Sequence, residues 1–443
     1  QVDHSSYHQF FKEVIVKRRD ALRSLTFGMA GIAAARSSFA QPMAMHGMKG
    51  HSPMMKGGMD GPQDPMIYVH KVIGMLKKVR ATQMENIMEG ANQIALAVEE
   101  NRNIWSCWDL GHTNESDLFP DRNGKPEFLV PGYDFDNVED GDLVLANFPW
   151  PAGYIKDLAA RDLYVIGGPC PWGGDVDRIQ LLKDDIAELK IEPFADLWID
   201  TPTDAVGAQV PIPGSPTPLG PESGPLNMTI LWMMVADACR MLARRGISAD
   251  IEGDEDTLSG DNVPWIDLGN PVMDTYFDEV IRQLEMIGGE LGYIRDMASM
   301  AVDTLLAGKN VYFYSRYYPS LAGEATGRRG GFLFAKGAAD GRLAGERGDM
   351  VVMGTYEPDD EADLRNLEEF KSRGMKITSI GPMTRNLQHP EGDAVYKETE
   401  LHIGRMMDTY GTFAVPGFDR KVCPTSGIMA TSVLWVMRAE LAF

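Results

Sequence analysis

Apolar side chains recur every three or four residues over residues 67–99, as at Val72, Met75 and Val79. This spacing places them on one face of a helix, and two helices are predicted in this region. The same spacing returns over residues 273–306, where helical structure is again predicted. The chain therefore presents the same helical opening twice.

Short apolar runs follow each helical region and predict buried strands. The runs span residues 104–108, 141–145 and 163–166 in the first half, and residues 311–315, 348–353 and 376–380 in the second. An amphipathic segment at 361–373, closed by Gly374, predicts a helix between the last two strands. Alternating strands and helices indicate a parallel sheet covered on both faces, so the predicted fold class is doubly wound α/β.

A phrase of the sequence occurs twice, at an offset of 203 residues. Each copy reads Pro-x-Ser-Gly, six further residues and Leu-Trp, with Ser223 and Trp232 in the first copy and Ser426 and Trp435 in the second. The first predicted strands of the two halves are offset by a similar 207 residues. Self-similarity of this kind is typical of a duplicated domain. Both serines stand where the N-caps of two closing helices are expected.

The duplication and the length of 443 residues together predict two domains. We expect two parallel-sheet, three-layer domains of flavodoxin-like type in tandem, related by a pseudo-twofold axis. The first domain is predicted over residues 67–250 and the second over residues 273–443, with a linker at 251–272. A signal-like segment at 1–40 and a linker or arm at 41–66 precede them.

The formal net charge of the chain is −22. Nucleic acid and anionic membranes would repel such a surface, so nucleic acid is not expected as a partner. Residues 1–60 differ, because they carry 8 Lys and Arg against 4 Asp and Glu. This contrast leaves residues 1–66 as the segment from which a contact with a membrane or a neighbouring subunit is expected.

The N-terminal segment contains Lys17-Arg18-Arg19, an apolar run at 25–35 and the small-residue site Ser38-Phe39-Ala40. This order resembles a twin-arginine export signal and predicts a periplasmic or extracellular protein. An amphipathic helix with a chance arginine pair is the alternative interpretation.

Thioether and imidazole side chains are dense just after this signal-like segment. They are Met43, Met45, His46, Met48, His51, Met54 and Met55. Such ligands suit Cu(I), so copper in the N-terminal arm is one hypothesis. A flexible linker or docking arm is the other. No further cofactor is expected to be required.

The order of the predicted elements resembles the sugar isomerase (SIS) domain over residues 67–443. The resemblance is carried by the helical opening, a strand, the turn Gly111-His112-Thr113, a helix, a strand opened by Gly-Asp and the closing Pro-x-Ser-Gly helix. Residues 320–331 and 348–380 are similar to the family's first helix and to its central strand, loop, helix and strand. The resemblance implies phosphorylated sugars as ligands, in a family of isomerases, an etherase and transcriptional regulators.

The loops that would hold a sugar phosphate depart from the family pattern. The loop after the central strand of the second half carries five acids: Glu357, Asp359, Asp360, Glu361 and Asp363. These charges would repel a phosphate group. The matching loop of the first half, residues 147–151, is apolar and proline-rich. Degenerate phosphate loops are therefore expected in both halves.

His112 and Glu324 are the candidate catalytic residues, because an imidazole and a carboxylate at strand ends could transfer a proton beside a carbonyl group. Glu324 also fits a simpler role as the acid that complements a helix dipole. Ligand contacts are expected from Thr113, Ser320, Arg328, Arg329, Ser223, Thr425 and Ser426.

Two functions remain open at this point. The first is an exported SIS-like protein that binds a sugar or sugar derivative in a strand-end crevice, with isomerase-type proton transfer as its enzymatic form. The second is a non-catalytic assembly protein, a duplicated SIS scaffold with an N-terminal docking arm. A homo-oligomer is expected in both cases.

Overall fold

The computed structural model describes most of the chain from residue 64 onward. The described residues are 64–108, 117–119, 122–131, 137–148, 161–169, 195–202, 209–211, 218–253, 258, 263–316, 319–326, 334–337, 344–355, 357–383, 395–407 and 411–442. The signal-like segment and the copper candidates between Met43 and Met55 lie outside them and stay predictions.

Eight α-helices lie within these residues. They are α1 (Ile67–Glu99), α2 (Ser223–Arg244), α3 (Met273–Met286), α4 (Leu291–Leu306), α5 (Pro319–Thr326), α6 (Glu361–Ser372), α7 (Val395–Glu398) and α8 (Ser426–Ala442). A 3-10 turn, Ile287–Glu290, joins α3 to α4. The predicted pair of helices over residues 67–99 was wrong, because no Gly or Pro stands near its middle and the helix continues unbroken. In the second half Gly288 and Gly289 lie at the break.

The described strands form two five-stranded sheets and one two-stranded ribbon. They are β1 (Ile104–Cys107), β2 (Leu129–Pro131), β3 (Leu143–Phe148), β4 (Tyr164–Pro169), β5 (Leu197–Trp198), β6 (Val311–Ser315), β7 (Lys336–Gly337), β8 (Met350–Gly354), β9 (Lys376–Ile380), β10 (Leu401–Ile403), β11 (Phe413–Ala414) and β12 (Lys421–Val422).

Both large sheets are parallel and have the same strand order. The first runs β2-β1-β3-β4-β5 and the second runs β7-β6-β8-β9-β10. This is the flavodoxin-like order, in which the first strand of the chain lies inside the sheet. The predicted class, two doubly wound α/β sheets in tandem, is confirmed.

Alternate residues of the central strands face opposite sides of each sheet, as strand geometry requires. In β1, Ile104 joins the large core while Trp105 packs on the outer face. In β6, Val311 and Tyr312 divide in the same way. The inner faces of both sheets contribute to one hydrophobic core, so Gln63–Phe443 forms one compact unit. The proposed domain boundaries within it stay predictions.

The closing helices α2 and α8 run through this shared core. Trp232 and Trp435 are completely buried, as are most of their neighbours on every side of each helix. A helix that is apolar all round belongs in an interior. By length and composition α2 could also cross a membrane, but 89% of its apolar window is buried inside the protein, as in a core helix.

The amino ends of the two sheets repeat one hydrogen-bond motif in register. Asp142 accepts from the backbone N–H groups of Asn103 at 3.2 Å and Glu139 at 2.9 Å. Asp349, 207 residues later, accepts from the backbone N–H groups of Asn310 at 2.8 Å and of Glu346 at 2.9 Å. The preceding glycine has φ +93° in the first half and +89° in the second. The duplication therefore extends to individual hydrogen bonds.

Candidate functional site

The topology points to one crevice in each half, at the carboxyl ends of the strands. The first strand along the chain is flanked in each sheet by the second and third, so connections diverge between β1 and β3 and between β6 and β8. Ligands of open α/β sheets bind outside the strands at such switch points. In the second sheet, Ser315 Oγ spans this point and donates to the Gly354 carbonyl oxygen at 2.8 Å.

The first crevice consists of Asp117, Arg122, Thr425, Ser426 and Gly427. Arg122 donates from Nε to Asp117 Oδ1 at 2.8 Å and from Nη2 to Ser426 Oγ at 2.7 Å. Asp117 and Arg122 follow β1, whereas the other three residues begin or directly precede α8. All four polar side chains are buried. Residues of both halves thus build one buried polar group.

The Asp117 carboxylate lies against the start of α8. A Cβ atom on Gly427 would lie 2.3 Å from Asp117 Oδ2, so glycine is needed for this close approach. Burial raises the pKa of Asp117 above its ordinary value, although the charge and hydrogen bond of Arg122 and the indole of Trp232 act in the opposite direction. The positive end of the helix dipole favours a negative charge at this place.

One hydrogen bond and one electrostatic interaction join the halves around the first crevice. Asn123 Nδ2 donates to Glu357 Oε1 of the second half at 3.0 Å. Tyr276 of α3 is buried, and burial, Cys423 and the negative charge of Asp117 raise the pKa of its hydroxyl, with Arg122 opposing. The first crevice is therefore enclosed by side chains from each half.

The second crevice consists of Glu324, Trp435, Arg438, Tyr68 and Glu222. Trp435 Nε1 donates to Glu324 Oε2 at 3.0 Å, and Arg438 Nη1 donates to the Glu324 carbonyl oxygen at 2.7 Å. Burial lowers the pKa of Arg438 to about 10, against the charge of Glu324. Burial, followed by the negative charges of Glu324 and Glu222, raises the pKa of the Tyr68 hydroxyl, so the two halves interact electrostatically here.

Asp117 and Glu324 are equivalent positions in the two halves. They stand 207 residues apart, which is the offset of the first strands, and each faces the tryptophan of its own closing helix. The same offset aligns Arg122 with Arg329. Asp117 and Arg122 were not among the residues predicted from the sequence. Aligning the two halves at this offset pairs them with Glu324 and Arg329, which were predicted, and would have identified both.

The start of α6 carries its own acids at the place where the second half would hold a phosphate. Asp360 accepts from the Asp363 backbone N–H at 2.8 Å and pairs with Arg316 at 3.1 Å. Asp363 is completely buried, and burial, followed by the charge of Asp360, raises its pKa to about 7. The positive end of this helix is thus already matched by carboxyl groups of the chain.

The predicted site residues differ in where the structure places them. His112, Thr113, Arg328 and Arg329 lie outside the described residues and stay predictions, while Ser320 lies in α5. Thr425, Ser426 and Glu324 belong to the two crevices described above.

The predicted N-caps at Ser223 and Ser426 were wrong, because each serine is the first residue of its helix. Ser223 is the first residue of α2, because Glu222 already has helical backbone angles, φ −94° and ψ −16°. Within the part of the chain that the structure describes, no three His, Cys, Asp or Glu side chains are grouped as a metal site.

Comparison with known proteins finds solved structures that are similar at low identity. No protein-family model and no curated protein matches the chain. It is similar to the C-terminal domain of glucosamine-fructose-6-phosphate aminotransferase from Francisella tularensis, with 12% identity, coverage of 87% of this chain and 97% of that one, and a TM-score of 0.49.

Two further solved structures are similar at lower scores. One is a Salmonella typhimurium LT2 protein described as sugar binding, with 10% identity, coverage of 85% and 97%, and a TM-score of 0.45. The other is glucosamine-6-phosphate deaminase from Thermotoga maritima, with 11% identity, coverage of 81% and 93%, and a TM-score of 0.39. The fold of the present chain is defined by its own two parallel sheets.

Proposed function

We propose that this chain is an SIS-like protein that binds an unphosphorylated sugar or sugar derivative in the strand-end crevices between its halves. The observation that carries the proposal is the buried group of Asp117, Arg122 and Ser426, which is built from both halves at a switch point. Carboxylate, guanidinium and hydroxyl groups offer both acceptors and donors, as the hydroxyl groups of a sugar require.

The charges around the crevices favour a ligand without phosphate. A carboxylate of Asp117 lies at the start of α8, and the carboxyl groups of Asp360 and Asp363 lie at the start of α6. A phosphate group in either place would meet a like charge at close range, where repulsion is strong in a buried setting. This pattern supports the view that the phosphate loops are degenerate.

Glu324 is the proposed acid or base if the protein is an enzyme. Its side chain is half-buried, and the indole N–H of Trp435 holds one carboxylate oxygen, which fixes the direction of the other. A positioned carboxylate beside a sugar carbonyl could transfer a proton in an isomerase-type step.

A thermal-shift screen of neutral sugars, amino sugars and their phosphate esters tests the proposal. We expect a saturable rise in melting temperature with an unphosphorylated sugar, since a ligand that binds the folded state stabilises it. Ser426→Ala should reduce this rise because it removes a polar group of the first crevice. Ser432→Ala, which removes a buried hydroxyl within the same helix, is the matched control. Melting temperatures unchanged by every sugar would contradict the proposal.

A second candidate, a non-catalytic scaffold, is favoured by one observation. Ser223, Thr425 and Ser426 are completely or almost completely buried, as residues that stabilise a scaffold are. Light scattering on the full chain and on a form that begins at Gln63 tests this candidate. We expect a homo-oligomer that dissociates when the arm is removed. The same number of subunits per particle in both forms would contradict this candidate.

Export is proposed on the basis of the arginine pair and the apolar run that follows it. Replacing Arg18 and Arg19 by lysine should abolish export of a reporter fused to residues 1–40, and continued export through the twin-arginine route would contradict the proposal.

Copper binding by the arm is proposed from its Met and His residues. Titration of a peptide covering residues 41–60 with Cu(I) tests it.

A further inference from the structure

The start of α8 gathers donors that would suit an anion. The helix has 17 residues, so its amino end carries a developed positive partial charge. Thr425, directly before it, is completely buried, and its Oγ1 atom finds no hydrogen-bond partner among the described residues. A buried hydroxyl group without a partner can still donate a hydrogen bond to a ligand.

Arg122 and Ser426 add two polar groups at the same place. Arg122 is 3% exposed, and its guanidinium donates to both Asp117 and Ser426. An arginine, a pair of hydroxyl groups and a helix amino end are the usual partners of a carboxylate or phosphate in proteins. In this structure the anion among them is the side chain of Asp117.

We propose that the start of α8, with Arg122, Thr425 and Ser426, is an anion-binding site that Asp117 occupies from within the chain. The ligand class is a small carboxylate or other oxyanion, which can enter only when the Asp117 carboxylate is absent or displaced. Gly427 belongs to the site because any larger residue would collide with the bound carboxylate. The inference does not depend on the sugar ligand proposed above.

A second buried ion pair provides the contrast. Arg240 contacts Asp237 at 2.7 and 2.9 Å, and both residues are almost fully buried. They stand three residues apart on α2, and Asp237 also accepts from the Val272 backbone N–H. This pair resembles Asp117 and Arg122 in charge and burial, and Val272 directly precedes α3, so Asp237 also lies at a helix start. Its partners are Arg240 and a backbone N–H rather than a pair of hydroxyl groups. It is therefore a matched control for the part that Thr425 and Ser426 play in the site.

Chemical rescue by formate tests the proposal. Asp117→Ala removes the internal carboxylate and leaves space for an external one, so its melting temperature should fall below that of the unaltered protein. Formate should then raise the melting temperature of the variant in a saturable way, by about 2–4 °C relative to chloride at equal ionic strength. Adding Ser426→Ala should weaken this rise. The unaltered protein and Asp237→Ala should show no comparable response.

Two results would overturn the proposal: a folded Asp117→Ala variant with the same melting temperature in formate and chloride, or an equal rescue of Asp237→Ala. If Asp117→Ala folds only in the presence of formate, recovery of soluble protein becomes the readout and supports the site. If it folds in neither salt, Asp117→Ser replaces it, because a serine leaves space for formate and keeps a polar group beside Arg122. We expect formate to raise the melting temperature of this variant above its value in chloride, and equal melting temperatures in the two salts would overturn the proposal.

Discussion

The amino ends and the carboxyl ends of the two sheets differ in how well they preserve the duplication. At the amino ends, Asp142 and Asp349 accept the same backbone N–H groups, offset by 207 residues. At the carboxyl ends, the equivalent acids Asp117 and Glu324 each face the tryptophan of their own closing helix, but their side chains differ in length. Arg438, which donates to the Glu324 carbonyl oxygen, stands where α2 carries Val235 at the 203-residue offset, so the surroundings of the two acids differ as well.

This difference separates architecture from chemistry. The amino-end motif fixes the loop that leads into β3 and β8, and both halves need that loop to form the sheet. The carboxyl ends are where ligands of such folds bind, and there the two copies have become dissimilar. The second crevice therefore need not bind what the first one binds.

The largest expected effect is at the amino ends. Asp142→Ala and Asp349→Ala should each lower the free energy of unfolding by about 3–5 kcal/mol, because several hydrogen bonds to a buried carboxylate are lost together. Asp142→Ala should cost slightly more, since Asp142 also accepts from the Trp105 indole at 2.7 Å. Urea unfolding measures both. A loss of stability in only one of the two variants would contradict the equivalence of the two amino ends.

The next effect is a pH dependence at the carboxyl end of the second half. Asp363 has a pKa of about 7 in the folded protein, against about 3.9 for an unfolded aspartate. The folded state thus binds more protons between these values, so stability should fall as the pH rises from 4 to 7. Asp363→Asn should remove this loss and be about 2 kcal/mol more stable at pH 8. Parallel pH profiles of the two proteins would contradict it.

An effect of similar or smaller size is expected where Asp117 approaches α8. Gly427→Ala should destabilise the protein by about 1–3 kcal/mol, because the new methyl group would press on the carboxylate. Gly292→Ala in α4 is the control, since nothing lies within 4 Å of its added Cβ. It should stabilise the protein by about 0.5–1 kcal/mol. Thermal unfolding of both variants measures the contrast, and equal shifts would argue against the close contact.

The smallest effect concerns two equivalent tyrosines. Tyr68 donates to the Pro221 carbonyl oxygen at 2.9 Å, and Tyr276 donates to the Pro424 carbonyl oxygen at 3.0 Å. Both bonds anchor the segment before a closing helix to the opening helix of the same half. Tyr68→Phe and Tyr276→Phe should each cost about 1 kcal/mol. Unequal costs in chemical unfolding would show that the halves have diverged here as well.

Hydrophobic periodicity was sufficient to predict the central strands and the class of the fold. The runs in β1, β3, β6, β8 and β9 are long enough to show a buried strand. The edge strands β2, β5, β7 and β10 have two or three residues each, which is too short for a period to appear. Strand order at the sheet edges therefore required the structure.

The candidate site was only partly predictable. Ser426 and Glu324 were expected from their places in the repeated phrase and the helix after β6, and both lie in a crevice. The partner of Ser426 is Arg122, which is 304 residues away in the chain. Local spacing carries no record of such a contact, because it arises only when the two halves pack together.

The central claim is that the strand-end crevices take a sugar without phosphate. Isothermal titration of the full chain with the sugar that gives the largest thermal shift, and then with its phosphate ester, tests this claim most directly. We predict a saturable isotherm for the free sugar and at least tenfold weaker binding of the ester, since a like charge in the crevice opposes phosphate. Tighter binding of the ester would contradict the account.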